Sequence, residues 1–140
     1  MGVSQVSVFL ESKPGHMKHV LDGFVEAGVS VRGFSASDTG DYGIARFIVD
    51  DPALVSEVLG KAGCATTTTE VLCIRLEDAP GELARVMGIL SECDINVDYC
   101  YSLINTYIAF HVRDLAAAEK ILSEQPVELL SQIDLKNPIA

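Results

Sequence analysis

Apolar positions in the first half of the chain change period several times, and each change marks an element. Val6 to Leu10 form a β-rich run that stops at the polar stretch before Pro14, which predicts a strand leading into a helix with Pro14 at its first position. Met17, Val20, Leu21, Phe24 and Val25 then recur at helical spacing, and Gly28 supplies a left-handed stop. Val29 to Ser37 and Gly43 to Val49 are strand-like runs around the turn formers S-D-T-G-D-Y, a predicted hairpin. Asp50-Asp51-Pro52 reads as a cap with Pro at a helix start, and Val55, Val58, Leu59 and Ala62 make a second stripe that ends at Gly63. Ala65 to Thr69 closes the unit as a strand. The order is βαββαβ.

The second half writes the same order again. A shift of 66 positions lays Leu10, Glu11, Pro14, Gly15, Val20, Glu26 and Val31 on Leu76, Glu77, Pro80, Gly81, Val86, Glu92 and Val97. Past residue 43 the best shift falls to 63, pairing Phe47 with Phe110, Val49 with Val112 and Leu59 with Leu122. Three residues are therefore missing from the second copy, and a hairpin is where a deletion of that size is tolerated. In that copy Val71 to Leu76 is read as the first strand and Leu83, Val86, Met87, Leu90 and Cys93 as a helical stripe. Ile95 to Tyr101 and Tyr107 to Val112 are read as a hairpin, Leu115 to Ser123 as a helix, and Val127 to Leu135 as the closing strand.

Two copies of this length are small domains, 1–68 and 69–140, rather than solenoid units. Right-handed crossovers put both helices of each on one face of an antiparallel sheet, the α+β, ferredoxin-like plan. The uncovered face predicts association between the repeats and a homodimer of chains.

A chain of 140 residues can bury roughly two-thirds of its unfolded surface, enough for a core. It has no apolar run of membrane-spanning length and no signal-peptide pattern at its start, so the expectation is a cytoplasmic protein that does not enter a membrane. A formal charge of −10 with no Lys/Arg cluster argues against nucleic acid. Cys64, Cys73, Cys93 and Cys100 lack a C-x-x-C pair and read as small buried hydrophobes or free thiols.

No nucleophile motif or phosphate loop is present, so no enzyme and no cofactor is expected. His16 and His19 lie one helical turn apart, but the second copy has Glu82 and Arg85 there and nothing completes a metal set; they read as surface histidines, and His111 as a partly buried strand residue. Glu11, Glu77 and Asp78, beside helix starts, read as caps rather than acid-base groups. What stands out is the phrase E-S-K-P-G-H-M at 11–17, echoed as E-D-A-P-G-E-L at 77–83. A strand-to-helix corner carrying Pro then Gly offers free backbone N–H groups with no side chain in the way, which suits a carboxylate; equally, Pro and Gly serve the turn itself.

With L-E-S-K-P-G-H-M followed by E-A-G-V-S-V at 26–31, and L-E-D-A-P-G-E-L followed by E-C-D-I-N-V at 92–97, the chain resembles a tandem pair of ACT domains over about residues 4 to 135. The resemblance implies a regulatory protein that binds a free amino acid or similar metabolite where two ACT domains meet and signals occupancy to a partner enzyme of amino-acid metabolism. It places the ligand at the corners, Ser12, Lys13, Pro14, Gly15 and His16 in one copy and Asp78, Ala79, Pro80, Gly81 and Glu82 in the other. It adds Ser30 and Asn96 at the start of the second strand of each copy, of which only Asn96 carries the Asn found in serine-binding members. Asp38, Tyr99 and Tyr101 are candidates for side-chain recognition, with burial the alternative for the tyrosines. The competing expectation is a constitutive interaction module without a ligand.

Overall fold

In the computed structural model, which describes residues 2–138, the chain divides into two compact units, Ser4–Thr69 and Glu70–Ala140 with Met1–Val3. The first unit is built from β1 (Val3–Glu11), α1 (His16–Ala27), β2 (Val31–Asp38), β3 (Tyr42–Val49), α2 (Pro52–Lys61) and the opening residues of β4 (Thr66–Arg75). β3 lies between β2 and β1, and β4 follows on the other side of β1, where the Phe9 N–H donates to the Ala65 carbonyl at 3.0 Å. The second unit takes the rest of β4, then α3 (Glu82–Glu92), β5 (Tyr99–Ser102), β6 (Tyr107–His111), α4 (Leu115–Ser123), β7 (Glu128–Leu130) and α5 (Gln132–Lys136). Here β4 pairs antiparallel with both β6 and β7, and β5 lies outside β6. Both units are ferredoxin-like α+β domains.

The repeat survives at the level of single core positions. Val6, Val8, Val20, Phe24, Ala45, Phe47, Val49, Val55 and Leu59 form one buried cluster. Leu72, Ile74, Val86, Leu90, Ile108, Phe110, Val112, Ala118 and Leu122 form the other, and each residue stands where the two sequence shifts put it. Strand register agrees: Val8 faces Ala45, which faces Ala36, as Ile74 faces Ile108, which faces Ser102. Eight residues, 37 to 44, close the first hairpin and five, 103 to 107, close the second, so the deletion sits in the turn.

Several boundaries differ from the pattern. Pro14 and Pro80 are not the first helical residues; α1 and α3 start two residues later, after Gly15 (φ 89°) and Gly81 (φ 86°) in the left-handed region. The proline ring serves the preceding turn, in which Lys13 N–H donates to the Glu11 carbonyl at 2.8 Å and Ala79 N–H to Glu77 at 2.9 Å. The closing strand of copy one and the first strand of copy two are one continuous ten-residue strand, β4. Ile95 to Asp98 stay outside β5, which is only four residues long. The expected last strand ends at Leu130, because Ser131 and Asp134 form a reciprocal capping box that starts α5. Cys73 is buried, and its thiol is pushed up to about 12 by burial, but Cys93 and Cys100 are exposed rather than core residues. No helix among the described residues is long and apolar enough to cross a membrane.

Candidate functional site

The end of β1 and the end of β2 run parallel on either side of β3, which brings Ser12 beside Asp38. The Ser12 hydroxyl donates to Asp38 Oδ2 at 2.8 Å, and the Gly40 N–H donates to Oδ1 of the same carboxylate at 2.6 Å. These two donors, the Gly40 amide foremost, hold the Asp38 carboxyl below its ordinary value. Gly40 can place its amide there because it adopts φ 99°, a backbone open to glycine. Ser12, Lys13, Pro14 and Asp38 line a cleft of about 460 Å³ floored by Leu10, Met17 and Ala36.

Pro14 and Met17, which also line the cleft, flank the N-terminus of α1. Its cap residue is Gly15, which has no side chain to occupy the first-turn N–H groups, and no acidic residue lies in that turn. The His16 Nδ1 accepts the Glu11 N–H at 2.6 Å and so fixes the end of β1 against the helix start. The His19 ring stacks beside it at 6.3 Å. Lys13 Nζ pairs with Glu11 at 2.9 Å, and that contact holds the Glu11 carboxyl low. Among the described residues, no three His, Cys, Asp or Glu side chains are grouped to hold a metal.

The second corner has the same backbone with a different lining. Asp78, Ala79, Gly81 and Glu82 border a cleft of about 430 Å³ whose far wall is Ser102, Asn105, Thr106 and Tyr107. The shorter turn leaves no counterpart of Asp38; Asn105 instead takes a left-handed backbone, φ 55°, and Thr106 accepts the Leu76 N–H at 2.9 Å. Glu82 is held by Arg85, whose Nη2 donates to Oε2 at 3.0 Å, and Pro80 makes the turn. The Asp78 carboxylate has no hydrogen-bond partner among the described residues.

Ser30 and Asn96 lie away from these corners within their own units, at the opposite end of the hairpin from Asp38 and Ser102. The Ser30 N–H donates to Asp50 Oδ1 at 3.0 Å. Asn96 Nδ2 donates to Asp98 Oδ1 at 3.3 Å, and the other oxygen of Asp98 lies 2.9 Å from His111 Nδ1. The ring of Tyr99 stacks on that His111 at 5.2 Å, and Tyr99 and Tyr101 are both half-buried on β5. The sequence reading missed Gly40, which completes the Asp38 clamp, and Arg113, which lines the cleft at Asn96. Turn composition at 38–43 was the available signal for the first; nothing in local pattern singles out the second.

A family model described as an ACT domain pair matches residues 1–137. The chain is similar over 98% of its length to a Bacteroides thetaiotaomicron protein of known crystal structure, covering 97% of that chain at 29% identity with a TM-score of 0.92. It is also similar in fold to the regulatory subunit of aspartate kinase from Thermus thermophilus in its ligand-free form, at 15% identity over 88% of this chain and 91% of that one, TM-score 0.62. The corresponding subunit from Thermus flavus gives 15% identity, coverage of 89% and 92%, and a TM-score of 0.56. No curated protein matches the sequence. With a match that runs through both repeats, the chain belongs to the family of ACT domain pairs.

Proposed function

We propose that this protein is a non-catalytic sensor that binds a free amino acid or similar small metabolite and signals its occupancy to a partner enzyme. The observation that carries the reading is the Ser12 and Asp38 clamp in a cleft that Pro14 and Met17, on either side of the uncapped start of α1, also line. An α-carboxylate there can take first-turn N–H groups near Gly15 and the Lys13 ammonium, while an α-ammonium can take Asp38 and the Ser12 oxygen. At about 460 Å³ the cleft is of a size with small-molecule sites. The second corner, with Glu77 and Asp78 and no equivalent of Asp38, has a different affinity or none. A similar fold is found in the regulatory subunits of the Thermus aspartate kinases, which supports a role beside an enzyme. On this reading the chain acts as a homodimer in the cytoplasm.

Native mass spectrometry of the purified protein tests this. The reading expects a mass increment equal to a metabolite with amino and carboxyl groups, present on purification or regained after dialysis against an amino-acid mixture. A protein that stays ligand-free in that mixture counts for the interaction-module reading.

A further inference from the structure

The end of β1 is completed by a side chain where a strand partner runs out. The Phe9 N–H donates to the Ala65 carbonyl at 3.0 Å, and Glu11, two residues on, turns its N–H to the same side of the strand. β4 begins only at Thr66, so no strand residue stands opposite Glu11 there. His16 Nδ1 takes that N–H instead, at 2.6 Å. In the second repeat the position of His16 holds Glu82, whose carboxylate is bound by Arg85, and the Glu77 N–H has no acceptor among the described residues.

An imidazole accepts at Nδ1 only when it is neutral and carries its proton on Nε2; an imidazolium has donors at both nitrogens. Protonation of His16 therefore sets N–H against N–H and removes the bond. The groups around the ring do not restore it. Glu11 and Lys13 already pair at 2.9 Å, the His19 ring stacks at 6.3 Å, and the first turn of α1 repels a cation. Asp41, Tyr42 and Cys64 are the other titratable groups lining the cleft of about 640 Å³ that His16 borders. The cleft wall follows directly on this bond, since the Glu11 carbonyl accepts the Lys13 N–H that shapes the turn and the next residue, Ser12, holds Asp38.

We propose that His16 is a positioning residue for the Ser12 corner and makes that corner proton-sensitive: the wall keeps its geometry while His16 is neutral and loosens when His16 is protonated. His16 acts through the β1 backbone and not on the ligand. The device rests on the sensor reading for what the corner binds, and it belongs to the first repeat, since Glu82 makes no such bond.

Nitrogen-15 NMR of the full chain between about pH 8 and pH 5 tests the device without a ligand. Neutral His16 should show the Nε2–H tautomer, and the Glu11 and Ser12 amide signals should move with the midpoint of the His16 ring. His16→Asn, whose Oδ1 accepts across this range, should leave those amides still, and His19→Asn should leave their movement intact. Each common L-amino acid is then titrated at both ends of the range. For one that binds, affinity should fall about fivefold on acidification, as for one lost hydrogen bond, and stay within about twofold in His16→Asn. Amides that ignore the His16 titration, or an equal fall in affinity in His16→Asn, overturn the device and leave the sensor reading standing. Amides that follow His16 with no amino acid bound at either pH overturn the sensor reading, and with it the claim that His16 acts on ligand binding.

Discussion

The Ser12 hydroxyl donates to Asp38 Oδ2 at 2.8 Å, tying the turn after β1 to the end of β2 across 26 residues of sequence. Because Asp38 is a solvent-exposed carboxylate, the bond matters less for stability than for holding the cleft wall in one geometry.

Removing that donor has a measurable signature. Asp38 titrates below its ordinary 3.8 because of Gly40 first and Ser12 second, so its contribution to stability is present above pH 3.8 and fades as pH falls through the lower folded value. Ser12→Ala should raise the Asp38 pKa towards 3.8 and narrow that window from below. It should also weaken a ligand at this corner several-fold, in line with about 1 kcal/mol for one hydrogen bond. An Asp38 carboxyl that titrates identically in both proteins by NMR contradicts the role given to Ser12.

Left-handed backbone positions separate the two repeats. Gly15 and Gly28 have positive φ with open space where a Cβ would stand, so Gly15→Ala and Gly28→Ala should each cost on the order of 1 kcal/mol from backbone strain alone. The position matching Gly28 is Asp94, which adopts φ 59° with a side chain present. Gly28→Asn should therefore cost less than Gly28→Ala. Urea denaturation curves give the order, and equal losses for Asn and Ala would contradict it.

Thiol reactivity reads burial directly. A disulfide-exchange reagent at pH 8 should label Cys93 and Cys100 rapidly and leave Cys73 unreacted until the protein unfolds. The Cys73 pKa is raised in the fold, so the neutral thiol is favoured and stability is lost as pH rises above its unfolded value of 9.0 towards 12. Labelling of Cys73 in the native protein at the rate of Cys93 would show that β4 opens readily.

Most of the fold was legible because its signals are local. Asp51 caps α2 through the Leu54 N–H with Pro52 next to it, and Leu115–Ser123 is a helix over the span its apolar stripe marks. The repeat placed all the paired core positions, since buried positions keep their spacing when turns do not. What escaped depends on partners distant in sequence. Ile95 and Asn96 lie outside a strand just as their counterparts Val29 and Ser30 do, and the two hairpins differ in that β2 starts pairing at Val31 while β5 starts at Tyr99. Pro14 looks like a helix start, but the left-handed Gly15 after it sets the boundary. The capping box at Ser131 and Asp134 was readable and marks α5 where a strand was expected to continue.

The central claim is that the chain binds a free amino acid, and a thermal-shift screen of the purified protein against the full set at millimolar concentration tests it most directly. A ligand at about 100 times its dissociation constant adds roughly 2.7 kcal/mol and raises the melting temperature by several degrees. The account predicts such a rise for at least one amino acid and little change for the rest; an unmoved melting temperature across the whole set would contradict it.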